Sequence, residues 1–183
     1  DQISAKSGVK AASYPRLMNE RGINVLLVED EQLFADLHRT MLAGGYAHRF
    51  EICHVKSFSD AREWLRQRSF DVILLDLTLP DSDGLTTYLH MKSAAPATPI
   101  IVLSGVTDEN IALQAMRDGA QDYLVKGEVD GRILTRGMRY AIERGRAQEA
   151  LRQSEEFFRL IAENVQDLIA VIGKGALSGG GKG

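Results

Sequence analysis

The sequence predicts an α/β fold: a doubly wound, five-stranded parallel sheet with helices on both faces and an extended C-terminal helix. Short apolar segments alternate with amphipathic segments from residue 23 to about residue 145, as in a series of βα units. The apolar segments are hydrophobic at nearly every position. That pattern is typical of strands in a parallel sheet that is covered on both faces.

Five apolar segments are the predicted strands: INVLLVED from residue 23, FEICHVKS from residue 50, DVILLD from residue 71, TPIIVLSG from residue 98 and AQDYLVKG from residue 120. Apolar residues at helical spacing after the first strand predict a helix that stops at Gly44 and Gly45. Ser59 is the expected N-cap of the second helix. The helix after the third strand is expected to begin near Gly84.

The composition of the chain argues against several classes of protein. The 183 residues suffice for one domain of ordinary size and a smaller segment. The formal charge of -3 gives no reason to expect binding to nucleic acid or to an anionic membrane, and the apolar runs are too short to span a bilayer. Cys53 is the only cysteine, so an internal disulfide is excluded. We expect a cytoplasmic protein without a nucleic-acid or membrane partner.

Polar residues stand at the carboxyl ends of four of the predicted strands. Glu29 and Asp30 end the first strand, Asp76 the third, Ser104 the fourth and Lys126 the fifth. In an open α/β sheet, ligands bind beyond the carboxyl ends of the strands. Three carboxylates gathered there would repel one another unless a cation lies among them. Because the donors are all oxygen atoms, Mg²⁺ is the expected cofactor.

Asp76 has three possible roles at that edge: it can cap the next helix, bind the metal or act as a nucleophile. Beside Mg²⁺, the amine of Lys126 would attract the equatorial oxygens of a phosphoryl group. A carboxylate in that setting can form an acyl phosphate. The convergence of acids, hydroxyl and amine favours a phosphoacceptor over a helix cap. Asp30 can both begin a helix and bind the metal.

Four segments in this order, LLVEDE, DVILLDLTLPDSDGL, PIIVLSG and DYLVKG, resemble the receiver domain of a two-component response regulator. The resemblance runs from residue 24 to about residue 145. It implies that the protein is not an enzyme, that Asp76 is the phosphoacceptor and that a histidine kinase or a phosphotransfer protein is the partner. It also implies Mg²⁺ binding by Glu29, Asp30, Asp76 and the backbone carbonyl of Thr78, with Asp30 the more direct of the acidic pair.

The same resemblance assigns roles on the last two strands. It implies that Ser104 bonds a phosphate oxygen, that Lys126 pairs with the phosphate, and that Tyr123 is a switch aromatic acting with Ser104. The signal is then expected to pass through the face formed by the fourth helix, the fifth strand and the fifth helix. This chain departs from the family at two positions. Ser104 stands where threonine is commoner, and Gly127 stands where many receivers have a proline.

The ends of the chain differ in character from the five βα units. Residues 1–22 are an expected leader, 23–145 the receiver domain, 146–172 a linker helix and 173–183 a flexible glycine-rich tail. A heptad spacing from residue 133 to residue 168 predicts a coiled coil, and hence a homodimer through the C-terminal helix. Residues 150–172 also resemble the opening of a PAS sensor domain, which is expected to be truncated here.

Two other functions compete with a phosphorylated receiver. A phosphatase that uses an aspartyl-phosphate intermediate needs a second acid two residues after the nucleophile, and Thr78 occupies that position. A docking or dimerisation module of the same fold needs no phosphorylation. The complete set of acids, hydroxyl and lysine argues against such a module.

Overall fold

The computed structural model describes residues 22–44, 50–105 and 109–178. The helices in this part of the chain are α1 (Gln32–Ala43), α2 (Phe58–Gln67), α3 (Gly84–Ala94), α4 (Glu109–Arg117) and α5 (Gly131–Ser178). The main strands are β1 (Ile23–Val28), β2 (Phe50–Val55), β3 (Val72–Asp76), β4 (Ile100–Ser104) and β5 (Asp122–Val125). Between β3 and α3, Thr78–Leu79 and Ser82–Asp83 form a small antiparallel ladder.

The main strands form one sheet in the order β2-β1-β3-β4-β5. Every neighbouring pair in this sheet is parallel. The predicted fold class is therefore confirmed, and the third helix begins at Gly84 as expected. Strands β1 and β3 are neighbours although β2 separates them in the chain. That reversal of strand order is the kind of place where α/β sheets bind ligands.

Two hydrophobic cores cover the two faces of the sheet. On one face, α1 and α5 contribute the buried residues Ala35, Leu42, Leu134, Met138, Ala141 and Ile142. On the other face, α2, α3 and α4 contribute Ala61, Tyr88, Met91 and Ala115. Every residue of β3 and β4 is buried because helices cover both faces. Burial of apolar surface stabilises by roughly 25 cal/mol per Å², so the sheet is a firm platform for its polar carboxyl edge.

The second helix begins one residue earlier than its expected cap. Ser57, with extended backbone, is the N-cap of α2, and its Oγ accepts a hydrogen bond from the amide of Asp60 at 3.1 Å. The expectation that Ser59 caps this helix is wrong. The two serines lie two residues apart and have the same capping chemistry, so the choice depends on where the backbone leaves the extended region.

The first half of α5 is bound to the edge of the sheet that lies opposite the polar carboxyl ends of the strands. Arg144 Nη2 donates to the carbonyl of Gln121 at 3.0 Å, and Arg146 Nη2 lies 3.2 Å from Oδ1 of Asp71. Glycine costs up to about 1 kcal/mol in a helix, so Gly145 is a weak point on propensity alone. Here a Cβ at Gly145 would stand 3.4 Å from Pro99. The missing side chain lets the helix approach that loop closely.

Helix α5 then continues without interruption to Ser178. The boundaries expected at residues 145/146 and 172/173 therefore fall inside one helix, and the glycine-rich tail expected from residue 173 is helical as far as residue 178. Leader residues 1–21 and tail residues 179–183 lie outside the described residues. Among the described helices, none is long and apolar enough to cross a membrane.

Candidate functional site

The strand register brings the predicted site residues to one edge of the sheet. Val28 pairs with Leu75 and Asp76 pairs with Leu103, so Glu29 follows β1 beside the end of β3. Ser104 pairs with Val125, and the amide of Lys126 donates to the Ser104 carbonyl at 2.8 Å. The carboxylates of Glu29 and Asp76, the hydroxyl of Ser104 and the amine of Lys126 therefore follow one another along this edge, at the ends of β1, β3, β4 and β5.

Three carboxylates converge at this edge. Ligand oxygens of Glu29, Asp30 and Asp76 all lie within 4.8 Å of one another. Glu29 and Asp76 are buried, whereas Asp30 is partly exposed. A buried carboxylate cluster is unfavourable unless positive charge neutralises it.

Lys126 supplies positive charge inside this cluster. Its Nζ lies 2.7 Å from Oδ2 of Asp76 and 2.6 Å from Oε2 of Glu29. The contact with Asp76 is a hydrogen bond, whereas the contact with Glu29 is an ion pair without hydrogen-bond orientation. The ring centroid of Phe34 lies 4.7 Å from the same Nζ. The ammonium group thus bridges Glu29 and Asp76. It also lies close enough to the ring of Phe34 for a favourable cation–π interaction.

Burial and neighbouring charge shift the pKa values of this pair. Burial raises the pKa of Glu29 from 4.5 to about 7; the charge of Asp76 also raises it, and Lys126 opposes the rise. Burial alone would lower the pKa of Lys126, but its contacts with Asp76 and Glu29 outweigh that effect and leave it raised. Lys126 alone therefore does not fully offset the unfavourable free energy of burying charged carboxylates.

The loop after β3 is held close to the acid cluster. The amide of Thr78 donates to Oδ1 of Asp76 at 3.1 Å. The hydroxyl of Thr87 on α3 lies 3.0 Å from the Leu77 carbonyl and 2.9 Å from Oγ of Ser82. The loop leads into α3 through Gly84, whose φ of 59° favours glycine. Because of these contacts, the Thr78 backbone is fixed beside Asp76.

The helix-cap interpretations of the acids do not fit the geometry. The N-cap residue of α3 is Asp83, seven residues after Asp76. The N-cap residue of α1 is Glu31 rather than Asp30. The side chain of Asp76 instead bonds Thr78 and Lys126. Asp76 and Asp30 therefore remain available at the sheet edge for other chemistry.

Ser104 and Tyr123, the predicted switch pair, lie on the neighbouring strands β4 and β5. Ser104 is buried at the end of β4, and a Cβ at the adjacent Gly105 would meet nothing within 4 Å. Tyr123 on β5 is partly buried against the core formed with α2, α3 and α4. Gly127, which follows Lys126, has a φ of 87°, a backbone conformation that only glycine adopts readily.

Four residues that support the site were not predicted from the sequence. Thr87 fastens the loop, Phe34 faces the lysine, and Asp81 bonds the start of α2. His54 on β2 places Nε2 2.7 Å from the Glu29 carbonyl oxygen. Phe34, Asp81 and His54 contact residues more than 20 positions away, and Thr87 contacts residues five and ten positions away. No local motif signals these contacts.

The donor set fits a hard divalent cation. Carboxylate oxygens from Glu29, Asp30 and Asp76 converge, and the Thr78 backbone lies beside them. No histidine or cysteine joins this cluster within the described residues. Oxygen-only ligation with a few carboxylates suits Mg²⁺, which keeps several of its waters.

A protein-family model supports the same conclusion. The response regulator receiver domain model matches residues 25–138. The chain belongs to this family. Receiver domains are signalling modules of two-component systems that typically bind Mg²⁺ at an acidic pocket and interact with histidine kinases or phosphotransfer proteins. The receiver identity expected from the four sequence segments is confirmed, whereas the PAS-like segment stays a prediction.

Individual relatives agree with the family assignment. Over 105 residues the chain is 38% identical to the swarming motility regulation protein RssB of Serratia marcescens, covering 57% of this chain and 46% of the relative. Over 114 residues it is 37% identical to the KDP operon transcriptional regulatory protein KdpE of Escherichia coli, covering 60% of this chain and 49% of the relative. The chain thus spans half or less of the length of these relatives.

Solved structures share the fold. A response regulator receiver domain protein from Clostridium thermocellum has a TM-score of 0.60 and 25% identity, covering 69% of this chain and 98% of that chain. The signal receiver domain of an HD domain-containing protein from Pseudomonas fluorescens has a TM-score of 0.63 and 23% identity, covering 71% of this chain and 93% of that chain. The second likeness shows the fold alone.

His38 on α1 generates a prediction about stability and pH. It is buried, and among the described residues its Nδ1 has no hydrogen-bond partner. Burial lowers its pKa from 6.5 to about 4; Lys126 acts in the same direction and Asp76 against it. The unfolded chain therefore binds more protons than the folded chain between those pH values, so stability falls as the pH falls through this window.

We expect His38→Leu to remove this pH dependence. Between pH 7 and pH 4 the wild type should lose about 2–3 kcal/mol of unfolding free energy that the variant keeps. Urea denaturation at several pH values, followed by circular dichroism, measures the difference. Parallel curves of unfolding free energy against pH for wild type and His38→Leu would contradict the assignment of this pH dependence to His38.

The variant Lys126→Met tests whether Lys126 and a bound cation neutralise the same acids, Glu29 and Asp76. Breaking a buried ion pair costs about 3–5 kcal/mol, so the unfolding free energy should fall sharply in EDTA. Added MgCl2 should then stabilise the variant more than the wild type. Lys56→Met, at an exposed position, is the control and should behave like the wild type. Equal Mg²⁺ stabilisation of wild type and Lys126→Met would refute the shared role.

Proposed function

We propose that this chain is a working receiver, in which Asp76 accepts a phosphoryl group from a histidine kinase or phosphotransfer protein in a Mg²⁺-dependent step. The position of Lys126 carries this proposal. Its Nζ lies within 2.7 Å of both Glu29 and Asp76. An amine held among carboxylates at the open edge of the sheet is ready to move to a phosphate. The cytoplasmic location and the absence of a nucleic-acid partner stay predictions.

Each residue at the edge has a proposed task. Glu29, Asp30, Asp76 and the Thr78 carbonyl hold the cation, and Asp30, the partly exposed acid, binds it most directly. Bound there, Mg²⁺ offsets the negative charge of the carboxylates and of the phosphoryl oxygens. The amide of Thr78 orients one oxygen of Asp76 through the 3.1 Å hydrogen bond.

The transfer itself balances without any further reactant. A carboxylate oxygen of Asp76 forms a bond to phosphorus while the bond from phosphorus to the donor's histidine nitrogen breaks. The electron pair of that bond stays on the nitrogen. Lys126 and the Ser104 hydroxyl bind the phosphoryl oxygens. The open space at Gly105 leaves room for the donor to approach along the line of attack.

The added charge is the proposed trigger of the response. Aspartyl phosphate carries close to two negative charges where the carboxylate of Asp76 carried one, and Lys126 turns from the carboxylates toward the phosphate. Ser104 moves with the phosphate, and Tyr123 turns inward to fill the space that Ser104 leaves. The face formed by α4, β5 and α5 then changes shape. A tenfold shift between two states needs only about 1.4 kcal/mol of preference.

Helix α5 is the proposed route beyond the domain, in a homodimer. Among the described side chains of residues 151–165, the large apolar ones are between 43% and 65% exposed: Leu151, Phe157, Phe158, Leu160, Ile161 and Val165. Leu151, Phe158, Ile161 and Val165 follow the predicted heptad seam, whose last position, Leu168, lies outside the described side chains. Ion pairs from Arg152 to Glu149 and Glu156 lie off this seam. A second copy of α5 would cover the apolar stripe and leave the ion pairs in solvent.

The rival functions have less support. A phosphatase would need an acid at the position of Thr78, which is an exposed threonine. A docking module that is never phosphorylated would have no use for a lysine held between two buried carboxylates. Burying three acids around one lysine is unfavourable without a functional reason.

The phosphoacceptor is tested by intact mass after incubation with acetyl phosphate. The wild type should gain one phosphoryl group in MgCl2 and none in EDTA, and Asp76→Asn should gain none. Asp36→Asn makes the same change from acid to amide at an exposed position on α1 and serves as a control that should still be phosphorylated. Phosphate on Asp76→Asn at the wild-type level would refute the proposal. No gain in the wild type would favour the docking module.

The dimer is tested by sedimentation velocity of seam variants. Phe158→Glu and Ile161→Glu place a charge in the seam and should give monomers. Leu160→Glu makes the same type of change on the same helix but off the seam, and should remain dimeric. Equal behaviour of Leu160→Glu and Phe158→Glu would contradict the predicted seam.

A further inference from the structure

We propose that Asp81 is a positioning residue for the metal site, because it fastens the metal-binding loop to the start of α2. This inference rests on the proposed function, since it concerns the loop that carries Thr78. The connection is named here the Asp81 latch and consists of Asp81, Phe58 and Ser59.

The latch is a set of three hydrogen bonds. Oδ1 of Asp81 accepts from the amide of Phe58 at 2.9 Å. Oδ2 accepts from the amide of Ser59 at 2.9 Å and from its hydroxyl at 2.6 Å. Both carboxylate oxygens are engaged, and the acid faces the positive end of the helix dipole. Such charge-assisted bonds are stronger than bonds between neutral groups.

Helix α2 already has an N-cap of its own. Ser57 accepts from the amide of Asp60, which satisfies one of the unpaired amides at the helix start. Asp81 adds bonds to the amides of Phe58 and Ser59 from 22 or 23 residues away in the chain. These long-range bonds cap the helix and at the same time fasten the loop to it.

The latch completes the fixation of the loop. Thr87 on α3 holds the loop at Leu77 and Ser82, on either side of Thr78 and Asp81. The short ladder pairs Thr78 with Asp83. Among the side-chain hydrogen bonds of residues 77–83, all of which the structure describes, only those of Asp81 reach an element other than β3 and α3. Without it, the turn at the tip of the ladder would be free to move away from the acids.

Metal binding and the latch are consequently coupled. A loop that moves must be ordered when the cation binds to the Thr78 carbonyl, and this ordering lowers affinity. By linkage, the cation in turn favours the latched loop. The amides of Phe58 and Ser59 should therefore exchange with solvent more slowly when metal is bound.

The test compares Asp81→Ala with Ser57→Ala, which removes the local cap of the same helix and leaves all three latch bonds. Free Mn²⁺ measured by electron paramagnetic resonance, with Mg²⁺ as competitor, gives metal affinity without any phosphodonor. Asp81→Ala should bind about tenfold more weakly, as is common when a support of a metal ligand is lost. Asp81→Asn should fall between wild type and Asp81→Ala, and Ser57→Ala should keep wild-type affinity although its unfolding temperature falls.

The outcomes separate the two proposals. Wild-type affinity in Asp81→Ala, or equal losses in Asp81→Ala and Ser57→Ala, would reduce Asp81 to a helix cap and overturn the inference. If Asp81→Ala does not fold, Ser59→Ala, which loses one of the three latch bonds, the 2.6 Å bond, together with the 3.3 Å bond to Ser57, should show a smaller loss in the same direction. A wild type that binds metal but is not phosphorylated would overturn the proposed function alone. A wild type that binds no metal would overturn both.

Discussion

The structure depends on one electrostatic constraint: three carboxylates cluster at the carboxyl edge of the sheet, and one lysine contacts the two that are buried. Glu29 and Asp76 are buried, and Lys126 contacts both. Such a cluster opposes folding, because burial raises the pKa of Glu29 and the acids repel one another. The apolar strands beneath it provide the compensating stability. A site of this kind is held by the sheet rather than by its own contacts, and under the proposed function an arriving cation or phosphate would relieve or rearrange its charges.

The surroundings of the cluster divide into firm and adjustable parts. Strands β1, β3 and β4 are almost wholly buried, and they set where each acid begins. In the loop from Leu77 to Gly84, Leu77 and Leu79 are buried in the core, whereas the turn at Asp81 is exposed and is held by hydrogen bonds from Thr87 and Asp81. Because separate bonds of about 1 kcal/mol each hold it, the loop can adjust to a ligand while the acids stay in place. The binding edge is thus both preorganised and responsive.

The sequence predicted the sheet and its polar edge because both follow from local patterns. Buried parallel strands are apolar throughout, and the residue that ends each strand marks the edge, which is how Asp76 and Lys126 were found. The supports of the edge follow from contacts between distant residues. Asp81 meets α2 across 22 residues, and His54 meets Glu29 across 25. The choice between Ser57 and Ser59 as cap depended on one backbone angle, which residue type does not determine.

Helix α5 shows how one element serves two environments. Its first half buries Leu134 and Met138 against the sheet, and its approach to Pro99 at Gly145 keeps it close to the domain. Its second half exposes Phe158, Ile161 and other apolar side chains. An isolated helix gains most of its stability from packing of an apolar face, so this half needs a partner surface. Since both halves belong to one continuous helix, the proposed homodimer would receive a rearrangement near β5 without an intervening hinge.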